Sequence, residues 1–195
     1  LSALPLRRPN PSGIAMPTAS RPEHVHARAA IYELLCAAFP TPEEALLVER
    51  LRLSGAAAIA LVAEDPDGDG TATPIVGHVV FSPVQLDPPR PVTGLGLAPL
   101  AVHPSRQRQG IGRQLTLAGL DACRAAGADF VVVLGDPAYY QQLGFVPASQ
   151  YLLANEYGVD HEFLAIELTP GALAGHGYTT GGMISYASEF AAFGL

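Results

Sequence analysis

The chain has 195 residues, 49% of them apolar and only 15% charged, enough apolar material to bury one sizeable core. Its formal net charge of −7 argues against a surface built to bind nucleic-acid phosphates. All 11 basic residues are arginine, so the chain can neither complete a nucleotide P-loop nor form a Schiff base.

Leu1–Ser20 is rich in Pro, Ser and Arg and reads as a flexible tail, or as a first edge strand at Ile14–Thr18. Residues 21–195 are expected to form a single domain. In His24–Phe39, Ala27, Ile31, Leu34, Leu35 and Ala38 recur at helical spacing. Thr41-Pro42-Glu43-Glu44 reads as an N-cap, a proline at the first helical position and two first-turn acids, opening a helix that stops near Gly55. Ala58–Glu64 and Ile75–Phe81 read as a hairpin around Asp65–Gly70, which lacks the closing glutamate of a calcium loop. Pro83–Pro91 is a proline-rich connection. Leu95–Val102 reads as a strand, Gly110–Gly127 as a helix, and Phe130–Leu134 as a buried, continuously apolar strand. Ala138–Leu143 reads as a short helix and Phe163–Leu168 as a late strand. This order predicts an α/β fold with a mixed sheet and helices on both faces. Cys36 and Cys123 lie far apart in apolar helical contexts and read as buried thiols of a reducing compartment. With no apolar run of membrane-spanning length, the expectation is a cytoplasmic protein with neither membrane nor nucleic acid as partner.

The chemistry concentrates in two stretches. In the first, a strand ends at Val102, Pro104 stops the ladder, and Ser105-Arg106-Gln107-Arg108-Gln109-Gly110-Ile111-Gly112 feeds a helix N-terminus. Glycine permits close backbone approach, and the first helical turn leaves N–H donors without internal partners. Together they make a seat for a pyrophosphate. The helix that follows should present Ile111, Leu115, Ala118, Ala122 and Ala125 to the sheet. A dinucleotide-binding reading fails, because the glycines do not follow the first strand in the required Gly-x-Gly-x-x-Gly spacing. The second stretch is Gly135-Asp136-Pro137-Ala138-Tyr139-Tyr140-Gln141-Gln142-Leu143-Gly144-Phe145, directly after the apolar strand.

Taken in this order, the two stretches resemble the GNAT superfamily of N-acetyltransferases. Its phosphate loop reads Q/R-x-x-G-x-G/A, and a tyrosine stands four residues before a Gly-Phe pair. Val133–Tyr140, with Pro170-Gly171-Ala172-Leu173 downstream, is similar more narrowly to its YhbS-like subgroup. The resemblance implies a single acyl-CoA N-acyltransferase fold, with a mixed, mostly antiparallel sheet that splays at a central parallel strand pair. It also implies acetyl-CoA as co-substrate, with no metal. Pantetheine would pair with the backbone of Leu100, Ala101 and Val102, and an amide near Val102 would serve the oxyanion. The amides of Gln107, Arg108, Gln109, Gly110, Ile111, Gly112 and Arg113 would hold the pyrophosphate. Tyr140 takes the general-acid position, and Tyr139 and Asp136 are further cofactor contacts.

Two departures from the family pattern stand out. Asp136 replaces a frequent asparagine, and Thr93–Val102 carries no acid where the family often has one. Glu44 is then the first candidate for the base, ahead of His103, His161-Glu162 or a water. Cys123 lies inside the helix and is no candidate for an acyl-enzyme. The acceptor would be a small-molecule or peptide amine, and a homodimer is implied by resemblance alone. The rival reading is a non-catalytic acyl-CoA-binding regulatory module on the same fold.

Overall fold

A computed structural model of the chain describes residues 20–65, 74–174 and 181–193. Ten strands and four α-helices follow in chain order: β1 (Ser20–Pro22), α1 (Arg28–Ala38), α2 (Glu43–Ser54), β2 (Ile59–Glu64), β3 (Ile75–Pro83), β4 (Gln85–Asp87), β5 (Gly94–Val102), α3 (Ile111–Ala125), β6 (Phe130–Leu134), α4 (Pro137–Tyr140), β7 (Val146–Pro147), β8 (Leu153–Asn155), β9 (Phe163–Glu167) and β10 (Gly182–Ser185). Seven strands form one sheet in the order β1-β2-β3-β5-β6-β9-β7, antiparallel throughout except for the central parallel pair β5–β6. A second, three-stranded sheet has the order β4-β10-β8.

β5 and β6 are in register only from Gly94–Phe130 to Gly96–Val132. Beyond this, β5 continues along β3 to Val102 while β6 continues along β9 to Leu134, so the two strands part. A bulge in β5 lies where they diverge: Val79 faces Leu100 and Phe81 faces Leu97, leaving Ala98 and Pro99 opposite Val80 alone. An extra residue bends its strand, and Pro99 has no N–H to donate to a ladder.

The sheet is covered on both faces. α1, α2 and the small sheet share one core, in which Ile31, Leu35, Leu47, Leu51, Val80, Phe130 and Ile184 are buried. α3 covers the other face, burying Ile111, Leu115, Leu120 and Cys123 against Val79, Phe81, Val131 and Val133. The contact is close: a Cβ at Gly119 would come within 2.3 Å of the Phe81 ring. That seating carries the N-terminus of α3 to the end of β5.

Several local expectations are corrected. The first helix opens with a 3-10 turn, Val25–Ala27, before α1 proper. Pro42, not Thr41, occupies the N-cap of α2, without a side-chain cap, and the Thr41 hydroxyl instead donates to Glu43 at 3.3 Å. The apolar face of α3 is rotated from the alanine stripe: Thr116, Gly119 and Cys123 are buried, while Ala125 is exposed. Cys36 is exposed, because it points away from the Ile31–Leu34–Leu35 stripe, whereas Cys123 is buried as expected. The proline-rich connection contains β4, and β8, β10 and the 3-10 turn Ser188–Phe193 have no counterpart in the sequence reading. Of the tail, Ser20 pairs with Ala63 in β1, and Ile14–Thr18 lies outside the described residues, as does most of Asp65–Gly70.

Candidate active site

Two cavities open where β5 and β6 part. The larger, about 580 Å³, takes Leu97, Ala98, Pro99 and Leu100 from β5, and Leu134, Asp136, Tyr139 and Tyr140 from the end of β6 and α4. Its far wall is Phe39, Glu44 and Leu47 from the α1–α2 corner, with Tyr157, Tyr186 and Phe190 from the C-terminal part. The smaller, about 380 Å³, is lined by Leu100, Val102, Gln107, Arg108, Gly110, Ile111, Gly112, Arg113 and Tyr139. Leu100 and Tyr139 belong to both, so the cavities meet there.

The smaller cavity has the chemistry of an anion seat. Gly110, the N-cap residue just before α3, has φ +85°, a left-handed conformation that suits glycine, and no side chain caps the helix. The first-turn amides of Ile111, Gly112 and Arg113 therefore keep their donor capacity, aided by the helix dipole. Arg108 and Arg113 add two guanidinium groups to the lining. The loop before the helix is tied down locally. Arg106 Nη2 donates to Asp65 Oδ1 at 3.0 Å, Gln107 Nε2 to the Val102 carbonyl at 3.2 Å, and Gln109 Nε2 to the Ser105 carbonyl at 3.4 Å.

The edge of β5 offers further donors. His103 N donates to Val76 O at 2.9 Å, and antiparallel bonding alternates along a strand, so Ala101 bonds towards β3. The amides of Leu100 and Val102 then turn the other way, into the gap left by β6. Ala101 itself is buried opposite His78 and lines neither cavity, and Gln109 lies outside both linings.

Tyr140, on α4, lines the larger cavity next to Tyr139, which both cavities share. Its ring is 8% exposed, packed edge-on against Phe145 at 5.4 Å and Tyr139 at 4.9 Å. Burial first, then the neighbouring Tyr139, pushes its pKa well above the usual tyrosine value, so the hydroxyl stays protonated at neutral pH. Asp136 organises this turn. Its Oδ1 accepts from Ala138 N at 2.9 Å, and its carbonyl accepts from Tyr139 N and Tyr140 N, both at 3.1 Å. The side chain expected to touch the cofactor thus works first as a helix cap, although it also lines the larger cavity.

Glu44 faces the same cavity from α2, with a buried Oε2 that has no hydrogen-bond partner among the described residues. The other candidate bases stand elsewhere. His103 caps the 3-10 turn Pro104–Arg106, with Nδ1 2.8 Å from the Ser105 hydroxyl, and lines neither cavity. His161 and Glu162 are exposed and 3.8 Å apart. Sequence reasoning missed Phe39, Leu47, Tyr157, Tyr186 and Phe190. The spacing of Tyr186 and Phe190, four residues apart in a segment assigned no element, was the one available signal.

The model of the acetyltransferase (GNAT) family matches residues 28–145. The chain is 36% identical over 161 residues to the uncharacterized N-acetyltransferase YhbS of Escherichia coli K12, spanning 82% of this chain and 90% of that protein. The crystal structure of E. coli YhbS in complex with CoA superposes with a TM-score of 0.81 at 34% identity, covering 97% of this chain and 98% of the other. A GNAT family acetyltransferase of Brucella melitensis, in complex with acetyl-CoA, superposes with a TM-score of 0.69 at 30% identity, covering 89% and 97%.

Proposed function

Since the chain belongs to the acetyltransferase (GNAT) family, we propose that it moves an acetyl group from acetyl-CoA directly to an amine, with Tyr140 as general acid and Glu44 as base. The observation that carries this reading is the junction itself: an anion seat and a larger chamber meet at the parting of β5 and β6, with Tyr140 beside the meeting point. Solved relatives that hold CoA and acetyl-CoA support the choice of co-substrate. In this reading the α3 first-turn amides and the two arginines take the phosphates. The free edge of β5 at Leu100 and Val102 takes pantetheine, and one of those amides also steadies the oxyanion of acyl transfer.

The reaction balances with these groups. An ammonium gives one proton towards Glu44, and the freed nitrogen attacks the thioester carbonyl. The C–N bond forms as the carbonyl π pair moves to oxygen; when that pair returns the C–S bond breaks, and the leaving thiolate takes the Tyr140 hydroxyl proton. The nitrogen's second proton restores the tyrosine. The products are an acetamide, CoA thiol and one proton released to water.

Tyr140→Phe at saturating acetyl-CoA tests the assignment. The ring and cofactor affinity are retained, and turnover is expected to fall roughly 10²–10⁴-fold. Equal turnover by the two proteins would remove Tyr140 as the acid. Absence of turnover by the parent on a broad amine panel, with acetyl-CoA bound, would favour a binding module.

A further inference from the structure

The walls of the larger cavity differ in origin and in character. One is the cofactor side, β5 with the end of β6 and α4. The other combines Phe39, Glu44 and Leu47 with Tyr157, Tyr186 and Phe190. Five of those six present apolar or aromatic surface, and the sixth is a carboxylate. Among the described residues no arginine or histidine lines this cavity, and its carboxyl side chains are Glu44 and Asp136.

That charge pattern selects among amines. Glu44 Oε2 is buried without a hydrogen-bond partner among the described residues, and a carboxylate so placed is stabilised by a cation brought to it. Aromatic faces beside it accept an apolar body and attract positive charge. A carboxylate on the ligand would meet like charge and no counter-ion. The Tyr186 hydroxyl is another buried group of this lining without a hydrogen-bond partner among the described residues. Its ring is held where β5 and β6 part, since a Cβ at Gly96 would come within 2.5 Å of it. Burial foremost, then Tyr157, Tyr140 and Glu156, raises its pKa and keeps it a hydroxyl able to bond a polar ligand atom.

The geometry points to a small primary amine with an apolar or aromatic body and no carboxylate as the acceptor, its ammonium at Glu44 and its body against Phe39, Tyr157, Tyr186 and Phe190. This inference rests on the transferase reading of the same cavity and narrows it. Size agrees: a ring the size of benzene fills a cavity of about 150 Å³, so a single-ring amine leaves room for the thioester end within the 580 Å³.

Matched pairs provide the test: phenethylamine against phenylalanine, isoamylamine against leucine, and both amines against a lysine-bearing hexapeptide. CoA thiol release is followed for each. The carboxylate-free amine should exceed its amino-acid partner in kcat/KM by roughly 100-fold or more, because like charges forced together cost several kcal/mol. Equal or reversed preference, or preference for the hexapeptide, overturns the inference even though transfer occurs. A second arm reads binding alone, by calorimetry of phenethylamine into the CoA-saturated protein. Binding should weaken at least roughly tenfold in Glu44→Gln, as for a hydrogen-bonded charge pair losing its partner. Failure of phenethylamine to bind, or binding indifferent to Glu44→Gln, overturns the acceptor class. Binding without turnover leaves that class standing and defeats the transferase reading instead.

Discussion

Gly112→Ala separates cofactor binding from folding. Gly112 lies in the first turn of α3, where alanine should favour the helix by up to about 1 kcal/mol. The added Cβ would stand 2.9 Å from the Tyr139 hydroxyl, 3.6 Å from Val102 Cγ2 and 3.8 Å from Leu100 Cδ2. Only the first contact is prohibitive, and Tyr139 relieves it by moving its hydroxyl into the space where the two cavities meet. Overpacking of this kind costs about 1–3 kcal/mol. In the free protein, helix propensity offsets much of that, so the melting temperature should stay within a few degrees, about the shift for 1 kcal/mol. With cofactor bound the displaced ring has nowhere to go. Affinity for acetyl-CoA should therefore fall roughly 5- to 150-fold, which is 1–3 kcal/mol at 1.4 kcal/mol per factor of ten. Gly112→Val, carrying two more methyl groups, should abolish measurable binding. Calorimetry on the variants, paired with thermal melts without ligand, reads both quantities. Unchanged affinity in a folded Gly112→Val protein would refute the phosphate seat, and affinity lost only in step with melting temperature would refute the separation.

Three other outcomes follow from the packing and the buried charges. Gly119→Ala would normally strengthen a helix interior, but its Cβ would lie 2.3 Å from the fully buried Phe81 ring, so denaturant unfolding should show a loss of about 1–3 kcal/mol. Glu23 bridges Arg52 Nε at 2.7 Å and His78 Nε2 at 2.9 Å; burial alone would raise its pKa, yet the bonds from His78 and Arg52 hold it at about 2. Burial likewise lowers the pKa of His78, so the unfolded chain takes up protons first at both sites. Stability should fall as pH drops through about 6.5 on account of His78 and again from about 5 towards 2 on account of Glu23. Glu23→Gln should lose about 3–5 kcal/mol at neutral pH and flatten the lower limb, and urea midpoints from pH 8 to 3 that do not vary in the parent would contradict this. Cys36 is exposed, whereas burial pushes the Cys123 thiol up to about 12, so an aromatic disulfide reagent should titrate one thiol per native chain and the second only in denaturant.

What the sequence disclosed and what it withheld divide along a physical line. The half proposed to hold the cofactor is written in one continuous stretch, from the end of β5 through α3 and β6 to Tyr140. There, local rules suffice: an apolar run marks a buried strand, and glycines with a following amphipathic helix mark an anion seat. The parting of β5 and β6 is already tertiary, because it depends on the bulge at Ala98–Pro99 and on which partner each strand keeps. The far wall is more remote still. Residues 39–47, 157 and 186–190 meet only after α1, α2 and the small sheet have packed into one core. β4, β8 and β10 are three or four residues long, too short to show a period, and are held by pairing across distant parts of the chain. Local misreadings have the same cause: Cys36 sits among apolar neighbours yet one position off the buried stripe of α1, and burial of Thr116 and Gly119 is set by where Phe81 meets α3. A motif can therefore point to the proposed donor of the acetyl group, whose expected contacts lie in that one stretch. The proposed acceptor would be selected by side chains from separate elements, and its chemistry has to be read from the assembled wall, where Glu44 shares the lining with Phe39, Tyr157, Tyr186 and Phe190.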